Sequence, residues 1–156
     1  MATEAEDCIE RLNYLREEVQ KEIRGMTAEE LNWKPLASNT NSIFALTTHI
    51  AGTEAAWIHH FVGNRTIARD RDSEFTSRGS NVAILQDMLD KARDVTVQVI
   101  GHLSSYDLST EKPSGESGNA VSYRWAILHT IEHLGQHLGH LTLTKQMYEF
   151  TKQNTL

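Results

Sequence analysis

The chain has 156 residues, of which 39% are hydrophobic and 23% charged, and a formal net charge of −6. That length and balance suit one folded domain, 1–156, with a sizeable core, and argue against disorder. The acidic balance, with no basic cluster interleaved with aromatics, argues against nucleic acid or an anionic membrane as partners, and no apolar run approaches the roughly 18 residues of a membrane span.

The N-terminus, Met-Ala-Thr-Glu-Ala-Glu-Asp, lacks the basic-then-apolar layout of a secretion signal. One cysteine, Cys8, rules out an internal disulfide and points to a reducing cytoplasm. Its acidic neighbours Glu4, Glu6, Asp7 and Glu10 raise a thiol pKa rather than activate it.

From about Glu4 to Arg24, Cys8, Leu12, Leu15, Val19 and Ile23 recur at helical spacing, and Gly25 stops that first helix. Thr27-Ala-Glu-Glu30 is a capping-box pattern opening a short helical turn before Pro35, and a polar loop follows over 36–41. A second long helix starts at the N-cap Ser42 and runs to about Val62. Around its His49 the neighbours Ala45, Gly52, Thr53 and Ala56 are all small, leaving room for an ion or for a close helix approach.

Residues 65–78 lack apolar periodicity and read as a charged surface loop. Ser80 is expected to cap a third helix carrying Val82, Leu85, Leu89, Ala92 and Val99 on its core side. The stretch 104–120 is rich in Ser, Gly and Glu, too long for a tight turn, and of a kind that often lines a site. Ser122 caps a fourth helix reaching about Phe150. With no run reading as a strand, the expected fold is all-α: a four-helix bundle in an up-down arrangement, with longer loops after helices 2 and 3.

Half of the eight histidines lie in His129-Thr-Ile-Glu-His133-Leu-Gly-Gln-His137-Leu-Gly-His140. On a helical wheel His129, His133 and His137 fall at about 0°, 40° and 80°, with His140 near 20°, so all share one stripe. Imidazoles at i and i+4 can grip one metal ion, and a hydrogen-bonded, pH-responsive ladder is the alternative. Ile127, Ile131, Leu134, Leu138 and Leu141 form a second stripe about 120–140° away by the same count, and two such stripes on one helix favour a homodimer.

One helix cannot surround an ion, so a ligand must arrive from another element, and His49 is the best candidate. His59 and His60 sit at the end of their helix, where a surface role is expected, and His60 lies about 16 Å along it from His49. His102 closes the third helix in the same bland way. The H-x-x-E-H pattern of His129 to His133 lacks the downstream carboxylate an inverted zinc peptidase needs, since only Glu149 follows. No Glu has a His three residues later, which excludes a carboxylate-bridged di-iron bundle, and one cysteine excludes a zinc finger.

Ser42-Ile43-Phe44-Ala45-Leu46-Thr47-Thr48-His49, followed at a distance by His129-x-x-x-His133-x-x-x-His137-x-Gly139, resembles the DinB/YfiT-like superfamily of metal-dependent proteins. The resemblance spans nearly the whole chain, including Leu31-Asn-Trp-Lys-Pro35. It implies a four-helix bundle, often dimeric, with His49, His133 and His137 binding a divalent metal and with His129 and His140 as accessory residues. Many relatives carry Arg-Gly-Gln where this chain has Leu138-Gly139-His140, so details of substrate chemistry do not carry over.

Characterised members of the family it resembles include transferases and isomerases that use bacillithiol or mycothiol, while others have no established activity. The resemblance therefore implies a metal-dependent transferase of a low-molecular-weight thiol, or a hydrolase, acting on a small molecule. Imidazole suits Zn, Ni, Fe or Co alike. Glu132 and Gln136, beside the ligands in sequence, are candidates to orient them from behind, and for Glu132 plain solvation is an equal reading. A non-catalytic metal-binding stress-response protein and a structural helical dimer are the alternatives.

Overall fold

Oxygen-bearing side chains open the helices of the computed structural model, which describes residues 2–115 and 118–154. Thr3 accepts from the Glu6 N–H and opens α1 (Glu4–Ile23), and Gly25, at φ +74°, stands just beyond its end. Thr27 and Glu30 form a reciprocal capping box on α2 (Ala28–Asn32). Ser42 caps α3 (Ile43–Glu54), whose path continues as a π-helical stretch, Ala55–Val62. Asp70 caps α4 (Arg71–Thr76), Asn81 caps α5 (Val82–Ile100) and Ser122 caps α6 (Tyr123–Gln153). Each cap satisfies amide groups that a helix start leaves without partners.

Three local expectations change. The cap of α5 is Asn81 rather than Ser80, because Asn81 is the extended residue and its side chain accepts from the Ala83 N–H. The 65–78 segment contains α4, too short to show periodicity. The 104–120 segment contains a 3₁₀ turn (Asp107–Ser109) and the strand β1 (Glu111–Pro113), paired antiparallel with β2 (Ala120–Ser122), Lys112 opposite Val121. Strands of three residues are too short for alternation to reveal. Residues 116 and 117 of that segment lie outside the described residues.

The four long helices form the expected bundle, and cross-helix contacts give their directions. α1 and α6 run parallel, since Arg124 pairs with Glu4 and Lys145 with Glu22. α1 and α5 run antiparallel, with Gln20 bonded to Asp90 and Ile9 beside Gly101. α3 parallels α5, since Phe44 lies against Gly79 and His59 bonds Ala92 and Thr96. α3 opposes α6, with His49 meeting His133 and Trp57 meeting Trp125. The chain therefore runs up, down, down, up. Simple alternation is missing only in the middle pair, because the 63–81 connection returns along the length of α3, passing Arg69 beside Thr53 and Glu74 beside His49.

Leu12, Val19 and Ile23, Ile50 and Ile58, Leu85 and Leu89, and Ile127, Leu134 and Leu141 are buried together in the core. The apolar stripe of α6 thus faces this core while its histidine stripe faces α3. Both stripes are accommodated within one chain, so that argument for a homodimer falls away. No helix among the described residues is long and apolar enough to cross a membrane.

Charge is also buried at the end of α3. Arg16 bonds Glu54 at 2.5 Å, and Thr96 donates to the same carboxylate oxygen at 2.5 Å. His59, expected at the surface, is buried and donates from Nε2 to the Ala92 carbonyl. Burial pushes its pKa down, so the ring is neutral. Its place at the helix end suggests a surface role, but α5 packs against that end and covers the ring.

Removing Glu54 alone strands the Arg16 guanidinium in the core. Glu54→Ala is expected to cost about 3–5 kcal/mol in urea unfolding, and the double change Arg16→Met with Glu54→Leu to recover most of it.

Candidate metal centre

The antiparallel packing of α3 on α6 brings residues 84 apart in sequence into contact: His49 Nε2 lies 3.0 Å from His133 Nε2. His137, one turn beyond His133, places its own Nε2 3.1 Å from the same atom. One ligand atom from each ring falls within 4.8 Å of the other two. His49 is buried and the other two half-buried.

Behind His49 stands Glu74, whose Oε2 is 2.8 Å from His49 Nδ1. An ionised carboxylate only accepts, so Nδ1 carries the proton and the neutral ring leaves Nε2 bare. Arg69 holds Glu74 from the other side, with Nε 2.6 Å from Oε1, and also reaches Thr53 Oγ1 at 3.2 Å. Gly52 makes room for this carboxylate: a Cβ there would sit 2.7 Å from the Glu74 carboxyl carbon.

Burial dominates the electrostatics. It pushes the pKa of His133 down to about 3 and that of His137 down to about 4, helped by each ring's histidine neighbours. His49 also falls below the ordinary histidine value, because desolvation outweighs the pull of Glu74. All three rings are therefore neutral, lone-pair donors at pH 7.

This donor set fits a divalent metal. Two nitrogens each 2.0–2.1 Å from one ion lie about 2.8–3.4 Å apart in octahedral or tetrahedral geometry, and 3.0 and 3.1 Å fall inside that range. A ligating imidazole usually donates its second nitrogen to a carboxylate or carbonyl, as His49 does. His133 Nδ1, by contrast, is buried without a partner among the described residues.

The remaining expected residues lie around this group. His129 does not join it. Its ring stacks on Trp125 (4.9 Å, 8° between planes), meets Trp57 edge-on, and stays 6.2 Å from the His133 ring centre. His140 is exposed, with Nδ1 3.2 Å from His137 Nδ1. Glu132 and Gln136 lie on the exposed face of α6. His60 is exposed and bonded to the Arg65 carbonyl, and His102 is exposed beyond α5.

The carboxylate that reaches a histidine is Glu74, which the sequence reading placed in a surface loop. Asp70, an N-cap residue, could have marked the short helix that carries it, and the space at Gly52, read as room for an ion or a helix, is filled by its carboxylate.

A family model described as mycothiol-S-transferase matches residues 8–149. No curated protein matches the chain. Among solved structures, YfiT from Bacillus subtilis, described as a probable metal-dependent hydrolase with an unusual four-helix bundle topology, superposes with a TM-score of 0.76. It is 10% identical, over 96% of this chain and 91% of its own. A conserved protein from Enterococcus faecalis gives 0.75 at 15% identity, over 94% of this chain and 98% of its own. A DinB-like protein from Bacillus cereus gives 0.73 at 18% identity, over 91% of each. Likenesses this remote in sequence show the fold alone.

Two outcomes follow from this geometry. Glu74→Gln is expected to weaken Zn affinity about 10–100-fold by calorimetry, and Gly52→Ala to weaken it in the same direction by displacing the carboxylate. The depressed pKa values of His133 and His137 mean that below about pH 6.5 the unfolded chain takes up protons the folded one refuses. The contribution of these rings to the stability of the metal-free protein is thus fully present above about pH 6.5 and is expected to be lost as pH drops toward about 3. Thermal melts of the native chain and of His133→Phe check this, the variant showing the shallower pH dependence.

Proposed function

Because this chain belongs to the mycothiol-S-transferase family, within the DinB/YfiT-like superfamily, we propose that it transfers a low-molecular-weight thiol to an electrophilic small molecule. The proposed ligands of its divalent metal are His49, His133 and His137. One observation carries this reading: three neutral imidazole nitrogens converge from two helices on one point, and one ring is braced by a buried carboxylate. A divalent ion held by three neutral ligands keeps its full charge and open positions, and so lowers the pKa of a bound thiol or water toward neutrality.

The protein's own residues do the positioning. Glu74 fixes the tautomer and tilt of His49; Arg69 holds Glu74 in turn, and Thr53 accepts from Arg69. Phe75 packs 4.5 Å from the His49 ring, and His129, stacked on Trp125 and met edge-on by Trp57, lies on the other side of His133. These apolar walls limit water around the histidines and keep them unprotonated. Zn, Ni, Fe and Co all suit the donors. Hydrolysis is the second reading, supported by the description of YfiT and by the same ability of such a site to activate water.

Metal analysis of untagged protein by mass spectrometry tests the proposal. One divalent ion per chain is expected, lost in His49→Ala and in His133→Ala with helix content retained. Thiol consumption with an aryl halide should disappear in the same variants. A chain that takes up neither Zn nor Ni overturns the reading.

A further inference from the structure

One helical turn from the histidines, α3, α6 and the 35–41 loop enclose a cavity of about 360 Å³. Leu46 precedes His49 by three residues and His140 follows His137 by three, so the cavity begins about 4.5 Å along both helices from the ligand rings. His140 is the shared wall, lining the cavity while its Nδ1 sits 3.2 Å from His137 Nδ1.

The lining sets the chemistry. Leu36, Leu46, Leu143 and Met147 supply apolar walls, Asn39 and Thr40 a polar rim, and no Asp, Glu, Lys or Arg borders the space. The rim loop is held in shape: Thr40 Oγ1 accepts from the Leu36 N–H at 3.1 Å and donates to the Leu36 carbonyl at 2.9 Å. Asn39 takes a left-handed φ of +62° there. Leu36 is 61% exposed and Leu143 55%, so apolar surface stands open beside the histidines. The other cavity near His49, about 400 Å³, lies behind Glu74 and is bordered by Arg69, Asp70 and Lys91. A charged substrate gains nothing from the first cavity, and a neutral one gains the burial of its apolar body.

We propose that the 35–46/140–147 cavity binds the electrophile of the transfer reaction, and that this electrophile is a neutral alkyl or aryl compound. The inference rests on the thiol-transfer reading above. In that reaction the sulfur–carbon bond forms as the bond from carbon to the leaving group breaks. The bonding pair departs with the leaving group, and the thiol proton goes to solvent. The cavity aims the apolar body away from His137, so that the reacting carbon faces the histidines.

Two fluorescent probes of one shape test the proposal in the full chain, stripped of metal: N-phenyl-1-naphthylamine, which is neutral, and its 8-sulfonate, which is anionic. The neutral probe is expected to bind saturably at one site per chain, at least about tenfold tighter than the sulfonate. Leu143→Gln and Met147→Gln, both at exposed positions, should together weaken it about tenfold or more. Ile84→Gln, on the exposed face of α5, should leave it unchanged. Equal affinity for both probes, or binding indifferent to the cavity substitutions, overturns the inference. Absence of binding does so too, and a dimeric mass in sedimentation would then assign the cavity to a second copy. Metal content is read separately: cavity variants that keep their ion while losing the probe separate this inference from the metal reading. A chain that binds the probe but no metal sinks the function while keeping the cavity's preference.

Discussion

Glu74 and His49 lie 25 residues apart, and the 2.8 Å hydrogen bond between their side chains is what the rest of the site leans on. A histidine ring can rotate and can carry its proton on either nitrogen. A carboxylate at Nδ1 removes both freedoms at once and leaves the Nε2 lone pair aimed at α6. For that bond to exist, the 63–81 connection must run back along α3 instead of crossing to the far end of the bundle. The up-down-down-up order and the geometry of the site are therefore two views of one constraint.

The same bond explains the small residues of α3. Gly52 leaves the volume that the Glu74 carboxylate occupies, and Thr53 accepts the second arm of Arg69. A buried carboxylate is costly unless its charge is met and its lone pairs are filled. Here Arg69 meets the charge, and the His49 N–H completes the shell. The Arg16–Glu54 pair, one and a half turns further along α3, solves the same problem with Thr96 as the added donor. One helix thus carries two buried carboxylate partnerships, one holding the bundle together and one braced behind the histidines.

Burial also sets the working state of the histidines. Desolvation is the largest influence on His49, His133 and His137; neighbouring histidines lower His133 and His137 further, and those two rings stay neutral well into acid. His133 Nε2 lies 3.0 Å from His49 Nε2 and 3.1 Å from His137 Nε2, and the three ligand atoms lie within 4.8 Å of one another, close enough for one ion to meet all three. The cavity beyond His140 extends the low-polarity surroundings toward a space without fixed charge.

Local sequence determined the parts whose physics is local. The caps Thr27 and Ser42, the 3.6-residue periodicity of Leu12 to Ile23, and the 4–4 spacing of His129, His133 and His137 each act within a few residues of chain, and so could be read directly. His49 was singled out by its small neighbours and by the family pattern. Three features depended on what lies across the bundle. Glu74 sits in a helix of six residues, too short for periodicity, and its role exists only because the connection returns along α3. His59 is buried because α5 packs against the end of its helix, where Ala92 and Thr96 meet the ring. His129 stands apart from its two neighbours in the motif because Trp57 and Trp125 capture its ring. Periodicity places a side chain on a face of its helix, and only the packing of other helices decides what that face meets.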